Sequence, residues 1–311
     1  MNLITKYRPQ TFADVIGQDA VVRSLQGICK RKDAQIFLFS GPAGCGKTTL
    51  ARLVAKAYGV EETQSAMIEI DAASKNGIDD MRGVQEILQY RPFGDSGKRA
   101  LILDEAHALS KQAFDSLLKT LEEPPAHIVW CFCTTNLAKI PQTLKSRCAK
   151  FDLKLVQDKD LGILYDFVCD EEKIDLPGDV GDLLIREAKG SPRQLLSNLV
   201  VARTAKNKKE AAQLLQTAIQ DDATLALCQF VANGNGSWSK CMSLLDKLED
   251  TNPESVRILV LNYLGACLKG AKDDKNAVIF MTRLDAFAQS YNGQEGIAPL
   301  LLSIGRALFA E

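Results

Sequence analysis

A lysine and a hydroxyl set behind closely spaced glycines are the residues best suited to chemistry in this chain. Gly41-Pro42-Ala43-Gly44-Cys45-Gly46-Lys47-Thr48 fits the spacing G-x-x-x-x-G-K-[ST], and Thr49 continues it. Glycines let successive backbone N–H groups converge on phosphate oxygens, and a helix N-terminus adds the positive end of its dipole. Lys47 can then reach the β- and γ-phosphates, and the Thr48 hydroxyl can ligate Mg²⁺. Binding of a nucleoside triphosphate is what this spacing implies.

A second cluster, Leu101-Ile102-Leu103-Asp104-Glu105-Ala106-His107, ends an apolar run in two acids. A parallel strand ending there sets a carboxylate beside the phosphate loop. Asp104 is expected to hold Mg²⁺, mainly through coordinated water, and Glu105 to be the general base or water-orienting residue for hydrolysis. The spelling Asp-Glu-Ala-His matches that of D-E-A-H helicases, but those use two sheet domains and the chain after residue 153 reads as helical. His107 is therefore read as incidental. Thr134, Thr135 and Asn136 close another apolar run, where a hydroxyl or amide could touch the γ-phosphate or the attacking water; strands also commonly end in such residues. Arg147, in Lys145-Ser146-Arg147-Cys148, and Arg193, in Gly190-Ser191-Pro192-Arg193, are singly ordinary surface partners. Beside a hydrolase they become candidates for stabilising transferring phosphoryl charge.

The elements that must position these groups follow from hydrophobic period. A strand from Gln35 to Ser40 feeds the glycine loop, and a helix to Tyr58 leaves it. Further strands are expected at 66–70, 100–103, 128–133 and 150–153. Runs buried on both faces and separated by helices indicate a parallel sheet with crossover helices. Helix is expected from Asp19, with Val21, Val22, Leu25, Ile28 and Cys29 on one face, and from Lys111 to Glu122 with Ser110 as N-cap. Residues 1–18 read as an extended arm, because Pro9 disfavours helix at Arg8. Beyond residue 153 helices are expected at 158–170, 179–189 and 192–205. After the polar Lys206-Asn207-Lys208-Lys209 they continue at 210–219, 223–231, 239–249, 254–269, 275–290 and 296–309. Breaks fall at 233–236, 251–253 and 291–293. An α/β nucleotide domain thus precedes a small helical domain and a helical bundle.

Length and composition bound the rest. The 311 residues leave room for two or three cores. A net charge of −1 puts no basic footprint on the chain as a whole, so any DNA contact must come from local charge placement. The absence of an apolar run of transmembrane length, and of a signal-peptide core at the start, points to a soluble intracellular protein. Nine cysteines, an odd count without C-x-x-C, argue against a disulfide framework and a zinc ribbon. Cys131 and Cys133 read as buried thiols on one strand face. Two histidines leave little material for a histidine metal site.

Taken together, Lys6-Tyr7-Arg8-Pro9, Val15-Ile16-Gly17-Gln18, the phosphate loop and Asp104-Glu105 resemble the AAA+ ATPases. More narrowly they resemble sliding-clamp loader subunits, bacterial DNA polymerase III gamma/tau and the small subunits of replication factor C. Asp71-Ala72-Ala73-Ser74-Lys75, the stretch from Leu117 to Pro125 and Ser146-Arg147-Cys148 are especially like gamma/tau. The likeness is dense over 6–153, fair to about residue 205, and only of helical pattern after that. It implies an α/β AAA+ domain at 1–153, a helical lid at 154–208 and an all-α collar at 209–311. It implies adenine-bordering roles for Tyr7, Arg8, Pro9, Ile16 and Gly17, and the sensor 1 position for Thr135. Arg193 matches sensor 2. Arg147 matches an arginine finger acting in trans on a neighbour's ATP. Arg82 would face DNA phosphates, and Lys119 would couple DNA to the catalytic glutamate.

The activity so implied is ATP- and Mg²⁺-dependent opening and loading of a sliding clamp onto primer–template DNA. The setting is a hetero-oligomer, pentameric in this family, in the cytoplasm and away from membranes. No cysteine stands between Thr48 and Ala100, where gamma/tau carry a four-cysteine zinc module, so no zinc is expected. With the chain stopping at residue 311, short of tau's extension, a compact loader of phage or viral kind, in the host cytoplasm, is the expectation. An AAA+ branch-migration motor or helicase loader would carry a DNA-binding end with hairpin strands, which the helical tail does not suggest. A non-hydrolysing scaffold subunit is opposed by intact Lys47, Thr48, Asp104, Glu105 and Arg193.

Overall fold

The apolar runs at Ile36–Ser40, Arg99–Asp104 and Ile128–Thr134 are buried along their length, Asp104 alone being partly open. Such strands need cover on both faces, which crossover helices supply. The computed structural model describes every residue except 1, 76, 89, 93–95, 235–236, 249–250, 272, 292–295 and 310–311, and leaves out the side chains of Lys119, Ile219, Gln220 and Asp221. The chain divides into two units, Met1–Lys208 and Lys209–Glu311.

The first unit opens with α1 (Leu3–Lys6), a 3₁₀ turn at Phe12–Asp14, α2 (Asp19–Arg31), β1 (Ile36–Ser40), α3 (Lys47–Ala57), β2 (Met67–Asp71) and α4 (Ile78–Leu88). It continues through β3 (Arg99–Asp104), α5 (Lys111–Glu122), β4 (Ile128–Thr134), α6 (Gln142–Lys145) and β5 (Ala149–Asp152), then α7 (Asp158–Glu172), α8 (Gly178–Glu187) and α9 (Pro192–Val201). The five strands are parallel, in the order β2-β3-β4-β1-β5. Ser40 pairs with Thr134 and with Asp152, and Asp71 pairs with Asp104, so the strands end at one common edge.

Strand alternation sorts the core into two layers. Leu38, Leu101, Leu103, Trp130 and Phe132 pack with Met81 and Leu88 of α4 and Leu117 and Leu121 of α5. Phe37, Phe39, Ile102, Cys131 and Cys133 pack with Leu25 of α2 and Leu50 and Val54 of α3 on the other face. Full burial of each large apolar side chain is worth about 1.5–3 kcal/mol. The second unit is helical throughout its described elements: α10 (Lys208–Asn233), α11 (Trp238–Leu245), α12 (Pro253–Lys269), α13 (Asp274–Ala286) and α14 (Ala298–Phe309). Its core includes Leu227, Val231, Leu245, Val260, Leu264, Phe287 and Ile304.

Some expectations need correction. Residues 1–18 are not extended throughout, since Leu3–Lys6 forms a helical turn with Asn2 Oδ1 accepting from Ile4 N at 3.0 Å. Pro9 restrains only its own neighbourhood, and buried Leu3 lets α1 pack on α9. The helices expected at 210–219 and 223–231 are one, α10, because the intervening Gln-Asp-Asp contains neither Gly nor Pro to stop it. Three helices are shorter than their patterns, α9 ending at Val201, α11 at Leu245 and α13 at Ala286. Of the expected breaks, residues 235–236 and 292–293 lie outside the described residues.

Candidate nucleotide-binding and hydrolytic site

The loop between β1 and α3 turns on glycines in the left-handed region, Gly44 at φ 74° and Gly46 at φ 106°. A Cβ on Gly41 would sit 2.4 Å from the Leu153 carbonyl oxygen, and one on Gly44 2.2 Å from Ser191 Oγ. These positions need glycine because β5's exit and the start of α9 close directly over the loop. Lys47, 6% exposed, donates from Nζ to the Gly41 and Pro42 carbonyls at 2.9 and 2.8 Å. Thr48 Oγ1 donates to Asp104 Oδ2 at 2.7 Å, tying the first turn of α3 to the end of β3.

A cavity of about 350 Å³ opens at this edge. Its walls bring together Tyr7, Arg8, Pro9 and Ile16, the loop from Ala43 to Thr49, Asp104, Glu105 and Arg193. Gly17, Gly41, Pro42 and Thr135 lie behind or beside that wall. Gly17, at φ 73°, lets the arm pass where a Cβ would meet Val156 at 2.7 Å. Thr135 joins the site through Glu105, donating to Oε2 at 2.9 Å. Arg193 stands in the first turn of α9, after Pro192 and the N-cap Ser191, whose Oγ accepts from Gln194 N at 3.2 Å. Arg147 is elsewhere: it donates to Glu122 Oε1 and to the Thr143 carbonyl, both at 2.7 Å. Arg82 lies exposed on α4, 3.3 Å from Asp79. The Lys119 side chain lies outside the described residues.

Residues 60–157 match the family described as DNA polymerase III, delta subunit, and residues 2–97 the family described as Rad17 P-loop domain. The DNA polymerase III tau subunit of Salmonella typhimurium is 35% identical over 281 residues, covering 83% of this chain and 43% of that protein. The gamma subunit of Buchnera aphidicola is 31% identical over 262 residues, covering 73% of this chain and 72% of that protein. The chain belongs to the DNA polymerase III gamma/tau family. It spans less than half the length of the tau relatives, 43% for those of Salmonella and Escherichia coli. Among solved structures, the Thermotoga maritima RuvB Holliday junction branch migration motor superposes with a TM-score of 0.55 at 19% identity, over 72% of this chain and 79% of that one. That likeness is one of fold, and with the strand order it makes the first unit an AAA+ P-loop ATPase fold.

The gamma/tau site suits a nucleotide with Mg²⁺ on its own chemistry. A hydroxyl and a carboxylate in contact are hard oxygen donors of the kind Mg²⁺ takes. Elsewhere, no group of three or more His, Cys, Asp or Glu among the described residues is placed to hold a metal ion. No helix among the described residues is long and apolar enough to cross a membrane.

Sequence reasoning passed over several residues at this edge. Arg52, one turn beyond Thr48 on α3, forms a two-pronged ion pair with Glu69 of β2, and both line the cavity. The signal was a lone acid in the apolar strand Met67–Ile70. Burial pushes the Arg8 guanidinium below its usual range, and the neighbouring Arg52 and Arg193 cations push the same way while Glu69 opposes them. So much positive charge around one cavity favours a polyanion. His107, read as incidental, lies 3.1 Å from Thr134 Oγ1 and 3.2 Å from Glu105 Oε2. Cys131 and Cys133 fit their reading as buried thiols, burial holding Cys133 well above the usual thiol range, and burial also raises Cys45 in the loop.

Proposed function

We propose that this chain is an ATP-hydrolysing subunit of a sliding-clamp loader, acting on primer–template DNA inside a cytoplasmic, pentameric hetero-oligomer. The observation that carries the reading is the convergence of Lys47, Thr48, Asp104, Glu105 and Arg193 on one cavity in a chain of the gamma/tau family. In this reading residues 1–153 are the ATPase domain, 154–208 the lid and 209–311 the collar. The adenine lies against Tyr7, Arg8, Pro9, Ile16 and Gly17. Lys47 exchanges its loop carbonyls for β- and γ-phosphate oxygens, and the backbone from Gly41 to Gly46 with Pro42, Ala43 and Cys45 lines the phosphate track. Thr48 and Asp104 hold Mg²⁺, which supplies charge neutralisation at the phosphates when bound. Glu105 takes the proton of the attacking water, Thr135 orients it, and Arg193 meets the triphosphate from the lid. Arg147 completes a neighbouring subunit's site, Arg82 and Lys119 serve the DNA side, and no zinc takes part.

The test is the ATPase rate of the complex formed with co-expressed partner subunits, with and without primed DNA plus the cognate clamp. Stimulation of about tenfold or more, lost with Lys47→Ala, is expected. A rate that ignores both DNA and clamp would sink the clamp-loading reading while leaving the nucleotide site standing.

A further inference from the structure

Glu105 leaves β3 in the left-handed region at φ 46°, a conformation uncommon for a residue with a Cβ. Its carboxylate meets the end of β4. Oε2 accepts from Thr135 Oγ1 at 2.9 Å, and His107 Nδ1 lies 3.2 Å from the same oxygen. His107 Nδ1 is also 3.1 Å from Oγ1 of the fully buried Thr134, which already accepts the Asn136 N–H at 3.0 Å. An ionised carboxylate only accepts hydrogen bonds, so a ring nitrogen lying against it carries a proton. The other histidine has the opposite arrangement, His127 Nε2 being 3.3 Å from the Leu88 carbonyl oxygen. A carbonyl also only accepts, which puts that proton on Nε2.

We propose that His107 is a positioning residue for Glu105, its Nδ1–H held on Thr134 Oγ1 with Glu105 Oε2 beside it at 3.2 Å. With Thr135 bonded to Oε2 and His107 beside it, the carboxylate cannot swing freely. Oε1, to which no described residue donates a hydrogen bond, is the oxygen left to face water in the cavity that Glu105 lines. Thr134, buried at the last position of β4, fixes the ring from behind. The partner of one imidazole nitrogen sets what the other does, as for metal-bound histidines whose second nitrogen is held by an outer group. This inference rests on Glu105 being the base in the reading above.

The tautomer can be read directly, because the chain has only two histidines. In the full chain labelled with ¹⁵N-histidine, at a pH where both rings are neutral, long-range ¹H–¹⁵N spectra should show His107 protonated on Nδ1 and His127 on Nε2, with His127→Gln giving the assignment. Glu105→Ala should return His107 to the Nε2–H form that free imidazole side chains favour, since Thr134 can then donate to Nδ1. His107 already in the Nε2–H form in the unaltered chain would overturn the inference. In the assembled complex, His107→Ala should lower kcat for ATP by about tenfold to a hundredfold with KM within about twofold. His107→Asn, which keeps a donor near the Nδ1 position, should restore most of the rate. A kcat unchanged in His107→Ala, or no rescue by Asn, would also overturn it. Glu105→Gln separates the two levels: if it hydrolyses ATP normally, the base assignment fails and this inference with it. If Glu105→Gln is dead and His107→Ala is normal, only the role of His107 falls.

Discussion

Arg147 is held by its own chain through Glu122 Oε1 and the Thr143 carbonyl, and its side chain is 31% exposed. An ion pair with Glu122, itself 55% exposed, is worth about 0–1 kcal/mol in water. A guanidinium meeting a phosphoryl group as charge develops in a water-poor site gains far more than that. The pair with Glu122 is therefore no obstacle to the proposed role at a neighbour's nucleotide. Arg147→Ala should cut hydrolysis by the assembled complex by about 10²-fold or more, in line with other arginines supplied in trans. Nucleotide affinity of the isolated chain, by titration with a fluorescent ATP analogue, should change less than about twofold. Loss of the chain's own affinity, with hydrolysis per bound nucleotide intact, would refute the trans assignment. Glu122→Gln should be nearly silent in both measurements.

At the scale of elements, the nucleotide loop depends on how α9 begins. Ser191 does two jobs there, capping α9 through Gln194 N and standing where a Gly44 side chain would go. Gly44→Ala forces an L-residue into left-handed backbone at about 1–2 kcal/mol and drives Ser191 Oγ from its cap at about 1 kcal/mol more. The start of α9 then moves, and Arg193 moves with it. Nucleotide affinity should fall by roughly tenfold or more, each tenfold being about 1.4 kcal/mol. In a Ser191→Ala background the added penalty of Gly44→Ala should shrink, since the colliding oxygen is gone. Equal penalties in both backgrounds would show that the loop and α9 are not coupled through this contact. The loop, its strand and its helix were legible in sequence because they are contiguous and periodic, as were the β3 and β4 runs. The pairing of Tyr7 and Lys6 with Glu172 of α7, at 2.8 and 2.7 Å, was not, since no local pattern marks partners so far apart in the chain. Arg52 with Glu69, and His107 with Thr134 and Glu105, were hidden for the same reason. Each charge read alone is an ordinary surface residue until the sheet brings its partner alongside. The break expected inside α10 failed on a different ground, because three polar residues without Gly or Pro interrupt hydrophobic period without interrupting helix.

Across the whole molecule, each unit has its own core and its own sensitivity to pH. In the 209–311 unit, Glu254 at the start of α12 accepts from Arg257 Nε and Nη2 at 2.8 and 2.6 Å, from Tyr291 N at 2.9 Å and from Ser290 Oγ at 3.0 Å. Arg257, 8% exposed, also donates to the Phe287 carbonyl at 2.7 Å, so the pair ties α12 to the segment that follows α13. Hydrogen bonds from Arg257, and next from the Tyr291 N–H, pull the Glu254 carboxyl down from its ordinary 4.5 to about 2. A depressed carboxyl favours folding when ionised. Its contribution is complete above the unfolded value near 4.5 and disappears as pH falls toward about 2. Stability of this unit should thus decline across that window, beyond any decline common to the other carboxylates. Glu254→Gln removes the charge at every pH, so the variant should be less stable at pH 7 and should converge on the unaltered chain by about pH 2. The two tryptophans make this readable, Trp130 lying in β4 of the first unit and Trp238 in α11 of the second against Phe309. In a Trp130→Phe chain, Trp238 fluorescence during denaturant unfolding reports the second unit alone. In that background, the difference in unfolding midpoint between the chain with Glu254 intact and the Glu254→Gln variant should be largest near neutrality and vanish in acid. A difference that stayed constant from about pH 7 to about pH 2 would mean that Glu254 stabilises the unit by shape alone.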